Sequence, residues 1–249
     1  MTYDSQLLVK AIRRDLGEPN TWADVHTYPN SMAECVIDAL WSERVRYSVI
    51  EEIIQRYRSY RTGEGGNADT DSAQDLLATF AIGVEAWMDK IGNRQRVFSR
   101  DEAPYKAEVV REGAQAAVDS QVSTTDALRR GHSRDSAALS DFKSRWLLLP
   151  SQHSGLTWER LLLLAGVTQV PADGWVAEYI LREGGFDPGQ ALAPTEVEPI
   201  LEAAAKALST SPMRVRNAIW RFETKRDRAS GHGPKGSHAS RAGAIADEA

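Results

Sequence analysis

The chain has 249 residues, of which 42% are hydrophobic and 26% are charged, and its formal net charge at pH 7 is −5. This composition predicts that most of the chain folds, around one substantial core or two small ones. The modest negative charge argues weakly against nucleic-acid binding. The single cysteine, Cys35, excludes an internal disulfide and any C-x-x-C zinc or redox motif, and we expect it to be buried.

The first 16 residues carry several charges and no long apolar core, which argues against a signal peptide. The longest apolar runs, such as 161–167, are far shorter than the ~20 residues that a membrane-spanning helix needs. We therefore expect a soluble, cytoplasmic protein with no membrane partner.

Apolar residues recur at helical spacing along most of the chain, and no segment alternates strictly as a half-buried strand does. Ser31 is the predicted N-cap of a helix with a single buried stripe, and Asp71 with Gln74 has the pattern of a capping box. The predicted helices of the first half span 5–16, 32–40, 47–60 and 72–88. Those of the second half span 106–119, 124–131, 136–148 and 156–165, followed by helices that begin at Asp173, Thr195 and Ser211. The fold class is therefore all-α.

The helices group into two packed subdomains. Residues 1–30 form a helix and a loop that we expect to pack with the C-terminal helices at 171–225. Residues 31–170 form the second subdomain, which includes a helix, a hairpin and a helix at about 146–166. After 225 the sequence turns to Gly, Ser, His, Ala and charge without apolar periodicity, which predicts a disordered tail at 226–249.

The stretch 146–180 carries a recognisable order of features. A helix ends at Leu149, a tight hairpin covers 150–155, an apolar helix is stopped by Gly166, and a short loop leads to Asp173 at the next helix start. This order resembles the helix-hairpin-helix DNA glycosylase superfamily, which has an endonuclease III-like fold. The family pattern is Leu-Pro-Gly-x-Gly followed by an apolar helix and a catalytic aspartate.

Leu149 and the following proline match the start of that pattern, and Asp173 has the spacing of the aspartate. Ser151 and His153 replace the two hairpin glycines, and Gly155 takes the second glycine's role only if the hairpin is two residues longer. Bifunctional members carry a nucleophilic lysine near position 155, where this chain has glycine and no lysine nearer than Lys143. The resemblance therefore implies a monofunctional enzyme. It also implies a member without the family's iron–sulfur cluster, which needs four cysteines. We expect neither a metal nor another cofactor.

Asp173 is the candidate catalytic residue. The resemblance implies that its carboxylate stabilises the positive charge that develops on the sugar as the N-glycosidic bond breaks, and that it orients water. The alternative is that Asp173 only caps its helix. Arg44 lies where family members insert a side chain as a wedge into the gap left by a flipped base. The alternative is that Arg44 is a solvated loop arginine.

The hairpin and two basic groups are the candidate DNA-binding residues. Backbone N–H groups of a hairpin before a helix form a natural phosphate cradle, although the hairpin is equally well explained as a structural connection. The cradle residues are Ser151, Gln152, His153, Ser154 and Gly155, and the basic residues are Lys143, Arg145, Arg214 and Arg216. Several aromatic residues, including Trp41, Tyr47, Trp146, Trp158 and Trp175, either line a base-stacking pocket or belong to the core.

Two hypotheses follow. The first is a monofunctional DNA N-glycosylase that binds DNA as a monomer, mainly through the phosphate backbone. The second is a non-catalytic helix-hairpin-helix scaffold for DNA or a protein partner, which the missing glycines and the net acidity favour.

Overall fold

The computed structural model describes residues 4–22, 26–42, 45–167, 174–187 and 190–230. The predicted all-α class is confirmed, since these residues form twelve α-helices and no strand, with one isolated bridge between Arg96 and Tyr105. The helices are α1 Ser5–Leu16, α2 Met32–Trp41, α3 Tyr47–Gly63, α4 Ala73–Thr79, α5 Val84–Ile91, α6 Lys106–Asp119, α7 Thr125–Ser133, α8 Ala137–Leu148, α9 Leu156–Leu164, α10 Gly174–Glu183, α11 Pro194–Ala207 and α12 Pro212–Ser230. No helix within this described part is both long and apolar enough to cross a bilayer.

The chain divides into two compact units. The central unit, Val25–Pro171, is continuous and contains α2 to α9. The terminal unit combines Met1–Asp24 with Ala172–Ala249 and contains α1 and α10 to α12. Each unit has its own cluster of buried apolar side chains, so each has the core that a folding unit requires.

The second helix is the centre of the central unit. All ten residues of α2 are buried, because it packs against α3, α4, α6 and α9. The single apolar stripe predicted from the sequence is therefore too narrow. Burial extends to two carboxylates, Glu34 and Asp38, which are paired with Arg58 and Arg160 of other helices. Without such partners, burial of a charge is prohibitively costly.

The helix predicted over 72–88 is two helices. Gly83 has a φ of 91°, which helical residues do not adopt, and it separates α4 from α5. The N-cap is Ser72, whose Oγ accepts the Asp75 N–H at 3.2 Å while Asp75 accepts the Ser72 N–H at 2.8 Å. Asp71, the predicted cap, is buried and accepts hydrogen bonds from Arg61 and Tyr57 instead.

The terminal unit packs α1 against α10, α11 and α12. The predicted cap at Ser211 is confirmed, since its Oγ accepts the Arg214 N–H at 3.3 Å. The predicted pairing of Thr195 with Glu198 is wrong: α11 begins at Pro194, and Glu196 accepts the Ala193 N–H at 2.7 Å. The last helix, α12, extends to Ser230, five residues beyond the predicted end at 225.

Candidate nucleic-acid interface

The connection between α8 and α9 begins with a tight turn. The Gln152 N–H donates to the Leu149 carbonyl at 3.0 Å, which closes a four-residue turn with Pro150 in its second position. Ser151 occupies the third position with a φ of 73°. Proline followed by a residue of positive φ is the pattern of a type II turn, which favours glycine at the third position. Ser151 thus adopts the conformation that glycine usually supplies.

A second turn completes the connection. The Gly155 N–H donates to the Gln152 carbonyl at 3.2 Å, and Gly155 has a φ of 78° as the N-cap of α9. His153 does not have a positive φ. The second left-handed position is therefore residue 155, which corresponds to a connection two residues longer than the Leu-Pro-Gly-x-Gly spacing.

Buried hydrogen bonds hold this connection against the core. Trp146 Nε1 donates to Thr157 Oγ1 at 3.1 Å, Thr157 Oγ1 donates to Gln152 Oε1, and Gln152 Nε2 donates to the Pro150 carbonyl at 3.0 Å. Gln152 is only 1% exposed. Its side chain is a structural element of the connection, and its N–H is used in the first turn.

The aromatic residues near the connection belong to the core. Phe142 and Trp158 meet edge to face with ring centroids 5.2 Å apart, and Trp146 contacts both rings. Trp41 belongs to the core of the central unit, and Trp175 is also buried. Of the five aromatic residues considered for base stacking, Tyr47 alone is partly exposed.

The outer side of the connection presents main-chain donors. His153 and Ser154 are exposed, and within the described chain neither backbone N–H has an acceptor. Gly155 provides no side-chain cap for α9, so the start of this helix adds the positive end of its dipole.

Leu148, which the sequence analysis missed, is 77% exposed at the end of α8.

The basic residues differ in their availability. Lys143 is exposed on α8, whereas Arg145 is paired with Asp141 at 2.8 Å and lies 3.8 Å from Asp119. These two carboxylates offset the Arg145 charge, and Asp141 raises the pKa of its guanidinium further above the usual range. In the central unit, Lys143 is therefore the better candidate of the two for a phosphate contact.

The two arginines of the terminal unit have intramolecular partners. Arg214 donates to the carbonyls of Pro19 and Trp22, each at 3.2 Å. Arg216 is 5% exposed and paired with Glu198. A phosphate contact requires an exposed guanidinium, so Arg216 does not fit its predicted role, and Arg214 is occupied in holding the segment after α1.

Asp173 and Arg44 lie outside the described residues. The elements before and after Asp173 are described: α10 begins at the next residue, Gly174, and the end of α9 is fixed by two hydrogen bonds. The Tyr28 N–H donates to the Leu164 carbonyl at 2.7 Å, and Arg129 donates to the Ala165 carbonyl at 2.7 Å. In the part of the chain that the structure describes, no group of three or more His, Cys, Asp or Glu side chains could hold a metal ion.

Most of the chain matches a single family model. This model, described as "Domain of unknown function (DUF8548)", covers residues 6–224. The chain belongs to the DUF8548 family. Comparison of this DUF8548 chain with curated proteins and with solved structures gave no match.

Proposed function

We propose that this protein binds DNA through the connection between α8 and α9 and hydrolyses a nucleobase–sugar bond with the Asp173 carboxylate. The observation that supports the proposal best is that the N–H groups of two exposed residues, His153 and Ser154, have no acceptor among the described residues. They lie between two left-handed residues, Ser151 and Gly155, immediately before a helix N-terminus. Main-chain N–H groups at such a place are suited to phosphate oxygens.

The binding surface is expected to recognise the DNA backbone without reading its sequence. Backbone N–H groups and a lysine ammonium contact phosphates, which are the same for every base pair. Lys143 supplies the exposed charge on α8, and Leu148 adds an apolar side chain of the kind that contacts sugars or base steps in a minor groove. Binding is therefore expected to be weak at high salt.

The catalytic step requires a carboxylate near the sugar. As the bond between the base and C1′ breaks, its electron pair leaves with the base, and positive charge develops on the sugar ring. The Asp173 carboxylate stabilises that charge and accepts a proton from the water whose oxygen bonds to C1′. The departing base takes up a proton from solvent, and Asp173 returns its own proton to solvent. Bifunctional helix-hairpin-helix glycosylases carry a nucleophilic lysine near the position of Gly155, and this chain has no lysine there. Cleavage of the strand is therefore not expected to follow base release.

A second candidate function is DNA or protein binding without catalysis. Of the basic residues predicted to contact DNA, Arg216 is buried and Arg145 is already paired. The net charge of −5 also disfavours the extensive phosphate contacts that tight DNA binding requires. This candidate predicts binding with no base release.

One experiment separates the two candidates. The full chain is titrated into labelled duplexes carrying different damaged or mismatched bases, and both binding and base release are measured at several salt concentrations. Salt-sensitive binding with base release from at least one duplex supports the glycosylase. Salt-sensitive binding without release from any duplex supports the scaffold, and no binding at low salt contradicts both DNA functions. His153→Asp, which puts a carboxylate beside the N–H groups, should weaken binding. Gln74→Asp, which adds the same charge at an exposed position of α4, is the matched control and should not.

A further inference from the structure

A cavity of about 430 Å³ lies in the central unit beside the segment that joins α5 to α6. Among the described residues that line it, three side chains are cationic, those of Arg96, Arg100 and Lys106, and one is a carboxylate, that of Asp101. The chain as a whole has a net charge of −5, so this positive lining departs from the average composition. Its volume is within the range of small-molecule sites, which is about 300–1,000 Å³.

Lys106 provides a charge that is fixed in position. The residue is 4% exposed, and its Nζ donates to the Trp41 carbonyl at 2.9 Å. Trp41 is the last residue of α2, so the ammonium also meets the negative end of that helix dipole. An ammonium buried in this way is screened less by water than that of a surface lysine.

The Arg96 guanidinium is fixed by several contacts that use only part of its N–H donors. Its guanidinium lies 3.9 Å from the centre of the Tyr105 ring and donates to the Tyr105 hydroxyl at 2.8 Å and to the Ala103 carbonyl. A guanidinium has five N–H groups in a fixed plane, and these bonds use only part of them. Neither Arg96 nor Arg100 is paired with a carboxylate among the described residues, unlike Arg58 and Arg160 of the same unit.

We propose that this cavity binds the phosphate group of a nucleotide-sized ligand. The planar donors of Arg96 and Arg100 match phosphate oxygens, and the Lys106 ammonium adds charge at the buried side of the cavity. Phe98, which lines the cavity and lies 5.5 Å from the Arg100 guanidinium, offers an apolar surface to the organic part of the ligand. The phosphate belongs to a free nucleotide or to the end of a nucleic-acid strand. The proposal does not depend on base excision or on the connection between α8 and α9.

The test is calorimetric titration of the full chain with deoxyadenosine 5′-monophosphate, using deoxyadenosine as the probe that lacks phosphate. The nucleotide is expected to bind at least about tenfold more tightly than the nucleoside, because charge-assisted hydrogen bonds to phosphate are lost in the latter. Arg100→Gln should weaken nucleotide binding by about tenfold or more. Arg111→Gln removes the same charge from an exposed position of α6 and should leave binding unchanged.

Two further arms make the result decisive. Ser99→Glu, at an exposed position of the cavity wall, introduces a carboxylate without removing a cationic side chain and should also weaken binding. A 5′-phosphorylated oligonucleotide and its unphosphorylated form are then tested as competitors of the bound nucleotide. If only the phosphorylated form competes, the phosphate belongs to a strand end. If neither form competes, the ligand is a free nucleotide. Three results would overturn the proposal. The first is that neither the nucleotide nor the phosphorylated oligonucleotide binds at millimolar concentration, and the second is that deoxyadenosine binds as tightly as its monophosphate. The third is that the folded variants Arg100→Gln and Ser99→Glu bind the nucleotide as tightly as the wild type.

Discussion

Arg160 of α9 and Asp38 of α2 form an ion pair in the interior of the central unit, with Arg160 Nη2 2.6 Å from Asp38 Oδ1. The Asp38 side chain is fully buried, and that of Arg160 is 11% exposed. Tyr28 donates a further hydrogen bond to Asp38 at 3.1 Å, and burial together with this carboxylate raises the pKa of the Tyr28 hydroxyl far above its usual range. The pair fixes the helix that follows the candidate DNA-binding connection.

Removing one member of this pair should destabilise the protein strongly. Asp38→Leu or Arg160→Met leaves a buried charge without its partner, and each should lower the free energy of unfolding by about 3–5 kcal/mol. The double variant should cost much less than the sum of the two. Urea unfolding of all four proteins measures this coupling. The exposed pair Asp141 and Arg145 is the control, with a coupling below about 1 kcal/mol; additive effects at Asp38 and Arg160 would contradict the assignment.

The left-handed conformation of Ser151 predicts which hairpin position accepts glycine. Ser151→Gly should be more stable than Ser151→Ala by about 1 kcal/mol, since both variants lose the hydroxyl and only alanine keeps the strained φ. His153→Gly should bring no gain over His153→Ala, because that residue does not have a positive φ. Chemical denaturation of the four variants checks the assignment. A gain at 153 with none at 151 would show that the turns are assigned wrongly.

The capping box at α4 predicts a specific pH dependence. Hydrogen bonds from the Ser72 hydroxyl and N–H hold the pKa of the Asp75 carboxyl below its ordinary value of about 3.9. A depressed pKa stabilises the folded protein above about pH 4, and this contribution is lost as the pH falls through the folded-state pKa. Asp75→Asn should therefore lower stability by about 0.5–1 kcal/mol at pH 7 and by progressively less in acid.

Unfolding measured between pH 7 and pH 3 tests this dependence. Ser72→Ala is the matched background, because it removes the hydroxyl that contributes most to the lowered pKa of Asp75. In that background, the pH-dependent part of the stability loss caused by Asp75→Asn should be smaller than in the wild type. A stability difference for Asp75→Asn that stays constant over the whole pH range would mean that the carboxylate charge contributes nothing.

Local sequence signals determined much of the helical structure. The predicted bounds of α1 and α6 match those observed, because each helix has an uninterrupted apolar stripe and a clear start. The break at Gly83 was missed because the apolar spacing continues across it, and only the backbone conformation distinguishes two helices from one. The complete burial of α2 depends on Arg58 and Arg160, and the latter is 122 residues away from its partner in the chain. Such pairings leave no local pattern.

The candidate site was predictable to a similar extent. A hairpin over 150–155 was predictable from residue types, whereas the left-handed conformation of Ser151 was not, since serine rarely adopts it. The inward direction of Gln152 depends on the hydrogen bonds that link it through Thr157 to Trp146, and no residue type indicates these. The cationic cavity at Arg96 and Arg100 was missed because the segment has no regular periodicity. Its only sequence signal is the density of arginines before α6.

Single-turnover base excision by the wild type and by Asp173→Asn, beside melting curves of the same preparations, tests the proposed catalytic role of Asp173 most directly. Asparagine is about as good an N-cap as aspartate, so the variant should fold and bind DNA like the wild type, with a stability change below about 1 kcal/mol. We expect the wild type to release a base from at least one lesion duplex. We expect Asp173→Asn to do so at least about 100-fold more slowly, because the charge opposing the developing cation is lost. Excision by Asp173→Asn at the wild-type rate, or no excision by the wild type on any duplex, would contradict this role.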